Sequence, residues 1–153
     1  MASVGIERSC CTTTRSEGEP DVVTFRRDVP LDAADIIRVF DGSGLRRPTH
    51  DPERIERMFR HANLVFSAWS DEGQLIGVCR SLTDFSYCCY LSDLAVARDH
   101  QKSGIGVKMI RLTREAIGPE CALILLSAPG AMAYYPRIGF DRIENGFIIP
   151  RSR

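Results

Sequence analysis

One junction limits what this chain can fold into. The strand-like run Tyr90-Leu-Ser-Asp-Leu-Ala-Val96 leads into Gln101-Lys-Ser-Gly-Ile-Gly106, and a helical pattern continues to Ile117. The order is strand, tight turn, helix, with Gly104 and Gly106 where the helix begins. A helix start carries backbone N–H groups that lack intrahelical acceptors, and the helix dipole adds partial positive charge there. The junction is therefore an anion site suited to a phosphate or pyrophosphate. Glycine at 104 and 106 lets such a ligand approach the backbone closely.

The rest of the chain supplies elements for one sheet and its covering helices. Residues 1–20 are rich in Ser, Thr, Gly and charge and are expected to form a flexible tail. Residues 21–150 are expected to form one domain. Asp21–Arg27 reads as a first strand. Leu31–Phe40 has near-helical apolar spacing and ends at Asp41-Gly-Ser-Gly44. Asp51-Pro52 is a helix start, followed by Ile55, Met58, Phe59 and Ala62 on one stripe. Leu64–Trp69 and Gln74–Arg80 read as a hairpin, and Tyr87–Val96 as the next strand. The helix over Ser103–Ile117 stops at Gly118-Pro119. Cys121–Leu126 is a continuous apolar run, as in a strand buried on both faces. Ala131–Arg137 reads as a short helix, with closing strands at Phe140–Arg142 and Gly146–Ile149. A mixed sheet flanked by helices, an α/β (α+β) architecture, satisfies this order.

Composition narrows the function classes. The chain has 153 residues, about one domain, with twenty basic and twenty acidic side chains. This balance argues against a dedicated nucleic-acid binder. The longest apolar runs are far short of a membrane span, so no membrane partner is expected. The six cysteines (Cys10, Cys11, Cys79, Cys88, Cys89 and Cys121) include no CxxC. Together with His50, His61 and His100 they form no metal-ligand spacing, so no metal is expected. Reduced, structural thiols in a cytoplasmic protein are the expectation. The Cys88-Cys89 pair has no apparent His partner and reads as strand packing rather than as a nucleophile.

Known phosphate loops fit the junction poorly. A dinucleotide fingerprint needs a third glycine where Met109 stands, and G-x-x-x-x-G-K-[ST] is absent. What remains is Q-x-x-G-x-G at a mid-chain strand–helix junction, Gln101, Gly104 and Gly106. This resembles motif A of the GNAT superfamily, the acetyl-CoA-dependent N-acetyltransferases. Leu94-Ala-Val-Ala-Arg98 resembles the strand end that precedes that motif, with Arg98 in place of the common proline. Ser127–Phe140 resembles the ending of motif B, with Tyr135, Gly139 and Phe140 at its fixed points and Arg137 in place of the common lysine.

The resemblance implies a central mixed, mostly antiparallel sheet with two splayed parallel strands. It implies that Gln101, Lys102, Ser103, Gly104, Ile105 and Gly106 hold the pyrophosphate of acetyl-CoA. It further implies that Leu94, Ala95 and Val96 border the pantetheine arm, with Leu94 and Val96 offering backbone groups. A nearby N–H can polarise the thioester oxygen. Tyr135 occupies the family's position for the acid that protonates the departing thiolate, and it also contacts the cofactor. Asp93, in a central strand, is the candidate base for the amine, with a water chain as the alternative. Regular alternation places Leu91, Asp93 and Ala95 on one face of that strand and Ser92, Leu94 and Val96 on the other.

The expected reaction is direct acetyl transfer, in a ternary complex, to the primary amine of a small molecule. Protein or peptide N-acetylation is the alternative among enzymes, and a non-catalytic coenzyme A sensor or interaction module is the alternative outside them. Arg46-Arg47, in the loop bordering the family's acceptor site, reads most simply as a solvated pair. Tyr90 and Asp84 are weaker candidates for the acceptor pocket. A homodimer is possible by analogy with relatives.

Overall fold

The computed structural model describes residues 22–152, so the expected tail, Cys10 and Cys11 lie outside the described residues. Five strands form one sheet in the order β1 (Thr24–Arg27), β2 (Leu64–Trp69), β3 (Leu75–Thr83), β4 (Cys88–Val96) and β5 (Ala122–Leu125). The first three neighbouring pairs are antiparallel, and β4 and β5 run parallel. The expected mixed sheet is present.

Helices α1 (Ala33–Ser43) and α2 (Pro52–Arg60) cover one face. Their ends follow local chemistry. Asp32 caps α1 by accepting from Ala34 N–H at 2.7 Å, and Gly44, at φ 82°, ends it in the left-handed region. Asp51 caps α2 by accepting from Arg54 N–H at 2.9 Å, with Pro52 in the first turn. Ile36, Val39, Phe40 and Ile55 pack on Leu75, Val78 and Ala95 of the sheet. Helix α3 (Ile105–Ile117) covers the opposite face. Its Ile105, Met109, Ile110 and Ile117 pack on Leu64, Phe66, Cys79, Cys89 and Leu91. Burial of these side chains is the dominant favourable contribution to the fold, at about 1.5–3 kcal/mol for each fully buried large residue.

The chain after β5 departs from expectation. In place of a helix over Ala131–Arg137 there are two short 3-10 turns, Pro129–Ala131 and Tyr135–Ile138. Pro136 has no N–H to continue a helix, and Gly139 at φ 93° ends the second turn. The expected closing strands Phe140–Arg142 and Gly146–Ile149 do not form. Phe140 N–H instead turns back to Tyr135 C=O at 3.1 Å, and Phe147 and Ile149 are 99% and 97% exposed. A three- or four-residue strand that buries so little cannot offset the entropy of ordering it.

Candidate active site

The site is a fork in the sheet. Strands β4 and β5 pair from Cys88↔Ala122 to Leu91↔Leu125, and there the pairing stops, while β4 runs on to Val96. Ala97 N–H donates to Ile76 C=O of β3 at 2.8 Å. Backbone alternation then turns the N–H groups of Val96 and Leu94 to the opposite, unpaired edge. These are the positions expected to border the pantetheine arm. Leu94 and Val96 are half-buried against the α3 side, whereas Ala95 is buried under α1 and α2.

Helix α3 starts beside this open edge. Lys102 and Gly104 adopt left-handed backbone at φ 64° and 85°, so the helix begins at Ile105 rather than Ser103. The first internal bond is Lys108 N–H to Gly104 C=O at 2.9 Å. The N–H groups of Ile105, Gly106 and Val107 precede it without intrahelical acceptors, and no side chain caps the helix. Ile105 is buried and anchors the turn, whereas Lys102 and Ser103 are exposed at its rim. Ser103 Oγ donates to His100 C=O, which tightens the turn. The Gln101 amide has a bracing role, because its Nε2 donates to Val96 C=O at 2.9 Å and to Ser43 C=O at 3.1 Å. It ties the end of β4 to the end of α1.

Gly106 faces Tyr134, Leu94 and Val96. A Cβ at this position would lie 3.5 Å from Tyr134 Oη, 3.8 Å from Leu94 Cδ2 and 3.9 Å from Val96 Cγ2. The phenol beside the α3 entry is thus that of Tyr134. The Tyr135 ring is half-buried and packs edge-on to Phe140, with centroids 5.5 Å apart, and edge-on to Tyr134 at 5.2 Å. Tyr135 also lines an apolar cleft of about 650 Å³ with Leu123, Leu125, Met132 and Phe140. Burial raises the pKa of both phenols above the ordinary tyrosine value, so both stay protonated at neutral pH.

Asp93 lies on the other side of the sheet from these phenols. Arg80 pairs with Asp93 across β3 and β4, yet the next pair is Ser81↔Leu91, so Ser92 is bulged out of the ladder. The bulge corrects the simple alternation. Leu91 packs with the α3 side, and Asp93 and Ala95 turn to the side of α1 and α2. Asp93 is 1% exposed, and each of its oxygens takes a guanidinium, Oδ1 that of Arg47 and Oδ2 that of Arg80. Arg47 Nη2 also donates to Ser92 C=O at 2.8 Å, and Arg80 Nη2 to Ser92 Oγ at 2.8 Å. Arg80 lies over the Phe59 ring at 5.7 Å. Arg47 is therefore not the solvated residue its sequence context suggests.

Sequence reasoning missed the roles of Arg80 and Ser92 in the Asp93 network. Arg80 had a signal, since it is an arginine closing an otherwise apolar strand run and needs a buried partner. The bulge at Ser92 left no trace in the alternation. Cys79 is buried and its thiol is pushed up to about 12, chiefly by desolvation, so it is inert. Cys88 is exposed, but the adjacent Asp84 carboxylate raises its thiol, which disfavours the nucleophilic thiolate. Asp84 caps the β3–β4 turn, where its Oδ1 accepts from Ser86, Tyr87 and Cys88 N–H at 2.8–3.0 Å. Among the described residues no cluster of three His, Cys, Asp or Glu is placed to hold a metal, and no helix is long and apolar enough to cross a membrane.

Comparison with known proteins agrees with this geometry. The acetyltransferase (GNAT) family profile matches residues 33–140, which span all three helices and the fork. The chain belongs to the GNAT family of acetyltransferases. No curated protein matches it. Among solved structures it is similar to an Escherichia coli GNAT-family N-acetyltransferase, YhbS, in complex with CoA. That match has 20% identity and a TM-score of 0.65, covering 83% of this chain and 73% of that one. It is also similar to the GNAT-family acetyltransferase SP0256 of Streptococcus pneumoniae TIGR4, at 17% identity and TM-score 0.68, over 86% and 100% of the two chains. A third is the aminoglycoside N-acetyltransferase AAC(6')-Iy in complex with CoA, at 12% identity and TM-score 0.67, over 89% and 99%. At these identities the likeness is one of fold.

Proposed function

We propose that the protein transfers the acetyl group of acetyl-CoA to the primary amine of a small molecule, with both substrates bound together. One observation carries this reading. The uncapped start of α3 stands beside the unpaired edge of β4, so an anion site and a peptide-like groove adjoin. Within the turn Gln101–Gly106 the backbone N–H groups at the start of α3 would hold the pyrophosphate, with Lys102 and Ser103 at the rim and Gln101 as the brace. The Leu94–Val96 edge would pair with the amides of the pantetheine arm, as an added strand does.

Acetyl-CoA supplies an activated acyl group; the chain supplies position and proton handling. An amine attacks only when neutral. Both oxygens of Asp93 already face guanidinium groups, so neither is free to take a proton from the amine directly. In this reading the ammonium proton therefore leaves through water in the fork, and Asp93 acts by holding Arg47 and Arg80. Tyr135, which stands at the family's position for the acid, is the phenol we assign to the departing thiolate, whereas Tyr134, whose hydroxyl overlooks Gly106, stands at the pyrophosphate end of the groove. Burial raises the pKa of Tyr135 and keeps it a donor at neutral pH, so it offers a hydrogen bond to developing negative charge and then a proton.

A small acceptor is supported by two similar folds whose names place them on aminoglycosides, AAC(6')-Iy and a soil metagenomic enzyme in complex with sisomicin. Two measurements test the reading. Acetyl-CoA at a hundredfold over its Kd should raise the Tm by about 6–10 °C. An amine panel should release free thiol in step with N-acetylated product. Binding without release would instead favour a sensor, and acetylation of peptides alone would favour the protein-directed alternative.

A further inference from the structure

We infer that the acceptor amine carries its own anionic group, a carboxylate or a phosphate, which docks on Arg47 at the vertex of the fork. This rests on the transferase reading above and narrows its substrate class. The β4–β5 ladder ends at Leu91↔Leu125, and Ser92 is the next residue of β4. Arg47 donates to the Ser92 carbonyl, so its guanidinium stands at the point where the strands part.

Charge does not balance there. Among the described residues two guanidiniums share one carboxylate, which leaves one positive charge in excess. Asp93 has no exposed side-chain surface and Arg80 only 8%, so the excess reaches solvent through Arg47, at 26%. Of the cations of α2, Arg57 pairs with Glu53 and Arg60 with Glu56. Arg46 is exposed beside Arg47 and adds a second cation. Donor capacity points the same way. Of the five N–H groups of Arg47, three are used, toward Asp93, Arg46 C=O and Ser92 C=O. The remaining two suit a carboxylate or phosphate oxygen.

The fixed fork of Arg47 also explains why Asp93 is buried opposite it, since the ion pair orients the guanidinium before a ligand arrives. A polycationic acceptor meets repulsion at this vertex, whereas an amine joined by a short spacer to an anion is drawn to it. The acceptor class therefore differs from that of the aminoglycoside-acetylating proteins with a similar fold.

The test compares kcat/KM for matched acceptors, 4-aminobutyrate against n-butylamine and glucosamine 6-phosphate against glucosamine, with sisomicin as the polycation. The expected result is a preference of at least tenfold for one anionic member over its neutral partner, and the pair that shows it tells carboxylate from phosphate. Arg47→Ala should lower kcat/KM for that anionic member at least tenfold more than for its partner, and Arg47→Lys should restore part of the gap. Should Arg47→Ala not fold, succinate and inorganic phosphate are tested on the wild type, where one of them should compete with the amine. Equal use of the neutral and anionic partners, a preference for sisomicin, or no competition by either anion would overturn the inference while leaving the transferase reading intact. Failure to acetylate any amine would overturn both.

Discussion

Substituting alanine at Gly106 and at Gly104 should act in opposite directions on stability, and only the structure explains why. Gly106 has ordinary helical backbone, and an added Cβ would meet its nearest neighbours at 3.5–3.9 Å, which is normal van der Waals contact. Alanine also lowers the entropy lost on forming the helix. Gly106→Ala should therefore stabilise the free protein by about 0.5–1 kcal/mol, or about 1–4 °C in Tm. Gly104 has open space around it but sits at φ 85°, where an L side chain is strained. Gly104→Ala should destabilise by about 1–2 kcal/mol. Binding should not follow stability. A methyl at 106 projects toward Tyr134 Oη, Leu94 and Val96, where the cofactor is proposed to lie, and acetyl-CoA affinity should fall at least tenfold, about 1.4 kcal/mol. Urea denaturation of the free variants and calorimetric titration with acetyl-CoA measure the two quantities separately. A Gly106→Ala protein that is more stable and binds acetyl-CoA as tightly as wild type would refute the placement of the cofactor at this turn.

Three further outcomes follow from the site and its surroundings. Tyr135→Phe should lower kcat by about 10²-fold with little change in acetyl-CoA affinity, and should abolish any alkaline limb that wild type shows above pH 10, because burial raises that phenol. Tyr134→Phe should leave the pH–rate profile unchanged, and the reverse pattern would move the acid role to Tyr134. Asp93→Ala should cost about 3–5 kcal/mol in urea denaturation, because it leaves the buried Arg80 guanidinium without its carboxylate; a loss under 1 kcal/mol would contradict the buried network. Asp84, held at about 2 against an unfolded value of 3.8 by backbone N–H groups of Tyr87, Ser86 and Cys88, contributes stability that is fully present above pH 4. That contribution is lost as pH falls from about 4 to 2, so the stability gap between wild type and Asp84→Ala should narrow over that window. A constant gap would show that the cap titrates normally.

What the sequence revealed depended on whether the information was local. The start of α3 was legible because glycine spacing and helix stops act within a few residues, and Gly104 and Gly106 stand where the turn needs them. The strands β2 to β5 were legible from apolar runs bounded by turns. The bulge at Ser92 was not, because it is a matter of register between β3 and β4, and a single inserted residue reverses which face Asp93 occupies. For the same reason the partnership of Asp93 with Arg47 and Arg80, 46 and 13 residues away in sequence, lay beyond local patterns. Tyr134 and Tyr135 are adjacent and chemically identical, and only the 3-10 turn at Tyr135–Ile138 separates the phenol at the α3 entry from the one packed on Phe140. The closing strands failed because alternation over three or four residues specifies a strand only when an edge and a buried face are available to it.

The central claim is that the α3 start and the β4 edge together present acetyl-CoA to an amine. Amine-dependent thiol release, followed with the mass of the acceptor product, tests it most directly. The account predicts one thiol released for each acetyl group added to a small primary amine, with kcat/KM for acetyl-CoA lowered at least tenfold in Gly106→Ala. Tight binding of acetyl-CoA with no acetylated amine from any acceptor would contradict it.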